Sequence, residues 1–274
     1  MNKALIIGCG YLGRRLTRRL QDEGLEVVGT TRSEEKAADL EQVGIPSAVL
    51  ELGGAGEAAV LEEAWDAAVY CAAPGRGGDE ELVFRDAPAV CRKRLGSARF
   101  IYVSSTGVYQ QAEGELLDET SPAEPAEGRP ALIRETERLL LDETAGDNIV
   151  VRLGGLYGPG RSPIEWLGRP GFRARLGGSA EAWMNWIHID DAAAVIGAAL
   201  MKGRAGELYL GVDGSPVKRV DFYQLASELA GEDPPELDTG SSDLGKRLSN
   251  RKLIEELGVS LLYPDYRRGL EAIG

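Results

Sequence analysis

The sequence predicts an α/β chain: a doubly wound parallel sheet with a small C-terminal lobe. Three observations carry this. Short apolar runs of strand length alternate with amphipathic stretches of helix length through residues 1–153. That alternation implies parallel strands joined by right-handed crossovers, with helices on both faces. After Leu153 the rhythm breaks into a region rich in Gly, Pro and Arg, and 274 residues leave room for one large domain and a lobe. Residues 1–153 are expected to form the main domain, and 154–274 a mixed region interleaved with it.

Residues 4–7 read as the first strand. Residues 12–22 read as a helix, with Leu12, Leu16 and Leu20 on one face. Glu26–Thr31 is the second strand, 34–43 a helix, 47–50 the third strand and 57–64 a helix. The fourth strand covers 66–72. Residues 80–95 are helical with a kink at Pro88, whose ring lacks the N–H an uninterrupted helix needs. The fifth strand covers 99–104, a helix 131–144, and the sixth strand Asn148–Leu153. Residues 154–178 read as loop and short helix. A helix over 190–201, a strand over 207–211, a helix over 221–229 and a Pro/Asp/Gly linker over 231–242 follow. Arg251–Leu257 and 266–273 close the chain as helices.

The sharpest local feature is Gly8-Cys9-Gly10-Tyr11-Leu12-Gly13, where a strand ends and a helix begins. Gly8 permits the tight turn, Gly10 lets a pyrophosphate approach the backbone, and Gly13 lets helix and strand pack closely. A diphosphate would then rest on the N–H groups and positive dipole end of the helix around Tyr11 and Leu12. The fold expected is therefore of the Rossmann type, and the loop a dinucleotide site. The second strand ends Thr30-Thr31-Arg32-Ser33, where an NAD site usually carries an acidic residue for the ribose hydroxyls. Arg32 with neighbouring hydroxyls suits a 2′-phosphate, so NADP is favoured over NAD. The fourth strand runs out into Ala72, Ala73 and Pro74, small residues that let backbone pass beside a cofactor ribose.

Charge and cysteine content exclude several classes. Lys and Arg total 31 against 44 Asp and Glu, a net charge of −13. Sequence-independent nucleic-acid binding needs basic surface, so it is not expected. No apolar run approaches the length of about 20 residues that a spanning helix needs, and the N-terminal run is too short for a signal peptide. Cys9, Cys71 and Cys91 are an odd set without paired spacing, which fits a reducing cytoplasm. With one histidine, His188, and no Cys-x-x-Cys, no metal site is expected.

Five blocks together resemble the extended short-chain dehydrogenase/reductase superfamily, in its epimerase/dehydratase branch. They are the glycine loop, FIYVSSTGVYQ at 100–110, LLDETSPAEP at 116–125, VRLGGLYGPGR at 151–161 and WIHIDDAAAVIGAAL at 186–200. The resemblance spans nearly the whole chain. It implies a nicotinamide cofactor, a small-molecule substrate held by the C-terminal lobe, and a homodimer built through helices 80–95 and 131–144. It also implies catalysis by a Tyr-x-x-x-Lys pair, whose lysine lowers the tyrosine pKa so that a phenolate handles the proton. Aligned on Glu137-Arg138-Leu139-Leu140, the tyrosine position falls on Arg129 and the lysine position on Ile133. Arginine does not release its proton at working pH and isoleucine has none to give. The chain is therefore an atypical member.

The resemblance places Ser105 at the catalytic Ser/Thr position and Ser104 beside the cofactor. Ser105 reads equally as a strand-end hydroxyl bonded to its own loop. Tyr109 is the family's structural tyrosine and a second candidate for proton transfer. Arg129 reads either as a binder of an anionic substrate or as a solvated arginine, and Tyr157 as lining the substrate end or as structural. Glu135 and Glu137 read as helix-surface charges. His188 is expected to anchor a helix start with Asp190 as its cap, and Trp183 and Trp186 to pack. Two functions follow: an NADP-dependent oxidoreductase or epimerase on a small carbonyl or sugar-like substrate, or a cofactor-binding sensor without turnover.

Overall fold

The computed structural model describes residues 1–53, 59–75, 77–143, 146–169 and 178–273. The chain divides into two compact units. The first is made of 1–108, 123–152 and 193–209, the second of 109–122, 153–192 and 210–274.

The first unit carries the parallel sheet. Its strands are β1 (Lys3–Ile7), β2 (Glu26–Thr31), β3 (Ser47–Val49), β4 (Ala67–Tyr70) and β5 (Arg99–Ser105), followed later by β7 (Asn148–Leu153) and β11 (Leu208–Gly211). The spatial order is β3-β2-β1-β4-β5-β7-β11, the doubly wound order that reverses at β1. The chain leaves β1 for β2 on one side and reaches β4 on the other, so a crevice opens beyond the carboxyl end of β1. The strands are buried on both faces, as helix-covered parallel strands must be: Ala4 to Ile7, Ala67 to Tyr70 and Phe100 to Tyr102 are at most 1% exposed.

The helices match the expected faces. α1 (Tyr11–Asp22) buries Leu12, Leu16 and Leu20, and α2 (Glu34–Gln42) is capped by Ser33, whose hydroxyl accepts the Lys36 N–H at 3.4 Å. α3 is seen over Ala59–Glu62; residues 57 and 58 of the expected helix lie outside the described residues. The kink expected at Pro88 is a widened turn over Leu82–Asp86 leading into α4 (Ala87–Arg94). Pro88 cannot donate to the Phe84 carbonyl four residues back. That oxygen instead accepts the Thr136 hydroxyl at 2.6 Å and the Tyr102 hydroxyl at 3.2 Å. α5 (Gly128–Arg138) starts three residues earlier than expected and continues through a second widened turn, Leu139–Glu143. Thr144 lies outside the described residues.

The second unit holds strands not foreseen from the sequence. β6 (Glu113–Leu117), β9 (Trp183–Met184), β12 (Val217–Lys218) and β13 (Gly245–Leu248) form a sheet in the order β12-β9-β13-β6, and β8 (Gly155–Tyr157) pairs in parallel with β10 (Trp186–His188). α6 (Pro163–Leu167), α8 (Arg219–Ala230) and α10 (Tyr266–Glu271) pack with them, and α9 (Arg251–Leu257) belongs to the same unit. Their core is aromatic: Trp186 stacks on Phe222 at 4.5 Å and 11°, with Tyr157, Tyr223 and Tyr266 around them. α7 (Ile189–Lys202) begins one residue before Asp190, so Asp190 stands in the first turn and is not the cap. Its N–H meets His188 Nδ1 at 3.3 Å, and the histidine anchors the helix start as expected.

Candidate dinucleotide site

The site is assembled where β1 gives way to α1. Gly8 takes φ +90°, and a Cβ there would lie 2.5 Å from Ala72 Cα. Only glycine fits. Its N–H meets Thr30 Oγ1 at 3.2 Å, the Cys9 N–H donates to the Thr30 carbonyl at 2.7 Å, and the Cys71 thiol donates to the Gly8 carbonyl at 3.3 Å. The loop is thus pinned from β2 on one side and β4 on the other. A Cβ on Gly13 would meet the Gly8 carbonyl oxygen at 2.8 Å, so helix and strand touch there.

Gly10 differs from both. A Cβ at Gly10 would meet nothing within 4 Å. It stands at the cap position of α1, with no side-chain cap and no acidic residue in the first turn, where acidic residues are ordinarily favoured. Arg14 and Arg15 follow instead. The space beside Gly10, the uncapped helix start and the local positive charge together fit a diphosphate. Cys9 plays no part in that opening. Its thiol packs over Gly29 against Leu40 and Ile45, and burial pushes its pKa up.

Thr31, half-buried, ends β2, and Arg32 projects past it. The Arg32 guanidinium reaches over Gly75, with Nη1 3.0 Å from where a Cβ would stand. Among the described residues it makes no ion pair. Ala72 closes on Gly8 while Ala73 and Pro74 continue outward from β4. Thr30 and Ser33, two of the hydroxyls beside Arg32, are already used, one on the glycine loop and one as the α2 cap.

At the end of β5 the two serines separate. Ser104 is 6% exposed and donates to Glu137 Oε1 at 2.5 Å. Ser105 is half-buried, and its Oγ accepts the Gly107 N–H at 3.1 Å, which leaves the hydroxyl proton to give. Glu137 corrects the surface reading. It is 0% exposed and holds Arg152 through Nε at 2.8 Å and Nη2 at 2.6 Å, with Arg134 Nη1 at 3.5 Å. The signal was available in the lone cation of the apolar strand NIVVRL, which needs a buried partner. In the first turn of α5, Arg129 is about half exposed, lies over the Phe84 ring at 5.6 Å and donates Nε to Glu80 Oε1 at 3.1 Å. Ile133, one turn on, is buried.

Tyr109 and Tyr157 belong to the second unit. Tyr109 is 1% exposed and gives its hydroxyl proton to the Asp118 carbonyl at 2.7 Å, while Lys246 Nζ donates to the Tyr109 carbonyl at 2.8 Å. Tyr157 is fully buried, and burial raises its pKa. Trp186 packs as expected; Trp183 is half-buried between Lys218 and Arg247. Among the described residues no group of His, Cys, Asp and Glu could hold a metal ion, and no helix is long and apolar enough to cross a membrane.

Sheet order, crossover and glycine cradle define a class of dinucleotide-fold proteins, and comparison narrows it. The model of the NAD dependent epimerase/dehydratase family matches residues 4–210, so the chain belongs to that family. It is 28% identical over 277 residues to Protein YeeZ of Escherichia coli K12, covering 97% of each chain. A solved structure of a conserved protein of unknown function from Silicibacter pomeroyi is 29% identical, with a TM-score of 0.81 over 100% of this chain and 98% of that one. The dTDP-glucose 4,6-dehydratase of Bacillus anthracis, solved in complex with NAD, shares the fold at a TM-score of 0.82 and 18% identity.

Proposed function

We propose that this protein is an NADP-dependent oxidoreductase or epimerase acting on a small carbonyl or sugar-like substrate. The observation that carries the cofactor reading is the pair formed by the open space at Gly10 and the Arg32 guanidinium over Gly75. One admits a diphosphate, and the other offers a charged fork to a 2′-phosphate where NAD sites carry a carboxylate. Gly8, Tyr11, Leu12, Gly13, Thr31, Ala72, Ala73, Pro74 and the backbone at Ser104 complete the surface proposed to hold it. When bound, the nicotinamide supplies hydride exchange. Fluorescence titration of NADPH and NADH against the wild type and Arg32→Ala tests this reading; equal affinities would remove it.

The chain's own residues divide the remaining work. Ser105 donates its hydroxyl proton to a substrate oxygen while one of its two lone pairs accepts the Gly107 N–H, which orients it. Arg129 offers a cation to an anionic substrate group. Its present partner Glu80 is itself half-exposed, so the pair is weak and open to exchange. Tyr109 and Tyr157 are the phenols left for proton handling. Both are buried, and the Tyr109 proton is committed to Asp118.

A second reading rests on the register inferred from the family resemblance. That register puts Arg129 and Ile133 where the family's Tyr and Lys belong, and neither can move a proton at neutral pH. A sensor or regulatory protein that binds NADP(H) without turnover needs neither. Oxidation of bound NADPH on adding a panel of carbonyl compounds separates the two. The protein is proposed to act in the cytoplasm and as a homodimer through α4 and α5, where Val90 is 52% exposed; light scattering at micromolar concentration tests the dimer.

A further inference from the structure

The end of the chain is fastened to its own unit around three carboxyl groups. Asp191, in the first turn of α7, accepts the Leu262 N–H at 2.7 Å on one oxygen and the Tyr263 N–H at 2.8 Å on the other. The Ser215 hydroxyl donates to the Pro264 carbonyl at 3.0 Å. Asp265 caps α10, accepting the Arg268 N–H at 3.0 Å. Gly269 lies against Tyr157 so closely that a Cβ there would fall within 2 Å of the phenol oxygen.

Behind this clasp stands Asp213, 5% exposed. One of its oxygens accepts the Ser215 N–H at 2.9 Å, but Oδ2 is buried and, among the described residues, has no hydrogen-bond partner. Among the same residues the buried Tyr157 hydroxyl has none either. The charges that reach Asp213 are both acidic: Asp265 from α10 and Asp191 from α7. Of the other groups here, Tyr157 is a phenol held well above neutral pH by burial, Ser215 and Asn250 cannot ionise, and the charge of His188 bears on Asp191, where it favours the ionised form. A carboxylate in this place would bury an unpaired charge beside two like charges; a carboxylic acid leaves Oδ2 without a partner too, but carries no charge.

We propose that Asp213 is a proton-sensitive fastener of the C-terminal segment, holding residues 261–273 docked while it carries a proton and releasing them when it ionises. Burial first, then Asp265 and Asp191, push its pKa up to about 8, far above the ordinary carboxyl value. Released into solvent, the group returns toward that ordinary value. The docked state therefore keeps a proton that the released state gives up. Docking is strongest at low pH, weakens as pH rises from the ordinary carboxyl range to about 8, and changes no further above it. One retained proton makes the slope about tenfold per pH unit. Asp191, whose pKa burial also raises, acts in the same direction.

Arg267 and Arg268 on α10 are exposed, so trypsin reports the release in the full-length protein. Cleavage there is measured from pH 6 to 9 and divided by the rate on a free peptide of the same sequence. Where opening precedes cleavage, that ratio tracks the released population. The ratio is expected to climb about tenfold per pH unit between pH 6 and 7.5 and to level off above about 8, and Asp213→Asn is expected to flatten it. A flat wild-type profile, or the same slope in Asp213→Asn, overturns the proposal. So does a profile that follows global unfolding measured by circular dichroism at each pH. If the variant does not fold, the carboxyl carbon of Asp213 in the wild type decides: titration near 8 supports the fastener, and titration in the ordinary carboxylate range sinks it.

Discussion

Glu137 grips Arg152 with both carboxylate oxygens, at 2.8 and 2.6 Å, and takes the Ser104 hydroxyl on one of them. The two side chains are 0% and 3% exposed. A buried pair of this kind is weak evidence of stability in itself, because desolvation offsets the attraction, yet removing one partner strands a charge. Glu137→Ala is expected to destabilise the protein by about 3–5 kcal/mol in urea unfolding. Replacing both partners, as Glu137→Leu with Arg152→Met, should recover most of that loss. A double variant as unstable as the single one would mean that the Ser104 bond or the packing, and not the stranded charge, sets the cost.

Two glycines of one loop should differ in stability, though not in cofactor binding, under the same substitution. Gly8→Ala puts a Cβ 2.5 Å from Ala72 Cα at a positive φ, so it is expected to lower thermal stability as well as cofactor binding. Gly10→Ala enters empty space, and its stability should stay within about 0.5 kcal/mol of wild type. If the space belongs to a diphosphate, Gly10→Ala nonetheless weakens dinucleotide binding at least tenfold. Unchanged binding in a stable Gly10→Ala protein would show that the opening is not a ligand site.

Arg32 should discriminate between the two dinucleotides. Hydrogen bonds to a charged group are worth about 1.5–3 kcal/mol, so Arg32→Ala should lose about 10- to 100-fold in NADPH affinity. NADH affinity should move little, because it lacks the phosphate that the guanidinium would meet. A parallel loss for both cofactors in the titration would instead assign Arg32 to the shape of the loop beside Gly75.

What the sequence disclosed follows the range of the forces involved. The glycine loop was legible because its conformation is set by six adjacent residues, each with a local steric reason. The seven-stranded sheet was legible because buried strands and covering helices repeat over long runs. The strands of the second unit were not. They have two to five residues, show no sustained alternation, and exist only through pairing with distant partners such as β6 with β13. Glu137 was missed because a carboxylate on a helix reads as solvent-facing until the strand bearing Arg152 is laid beneath it. Leu139–Glu143 winds more widely than an α-helix, so heptad-like spacing does not say which side that turn presents.

Ser105 gives the sharpest statement about chemistry. The register proposed from the family resemblance puts the three proton-handling positions at Ser105, Arg129 and Ile133, and of these Ser105 alone carries a suitable group: Arg129 is a permanent cation and Ile133 is apolar and buried. One of its two lone pairs accepts the Gly107 N–H at 3.1 Å, and its proton remains for a substrate oxygen. Losing one such donor in a transition state typically costs on the order of 100-fold or more in rate. Ser105→Ala should therefore reduce turnover of any substrate found by about that factor while NADPH still binds, whereas Tyr109→Phe, which loses only an internal bond to Asp118, should act mainly through stability. Assay of both variants with NADPH against aldehydes, ketones and nucleotide sugars decides the matter. Full activity in Ser105→Ala makes the serine structural. Turnover of a nucleotide sugar by wild type at ordinary enzyme rates would mean that some group other than a Tyr-Lys pair on α5 supplies the acid. NADPH binding with no turnover of anything selects the sensor, and Ser105→Ala would then bind NADPH as wild type does.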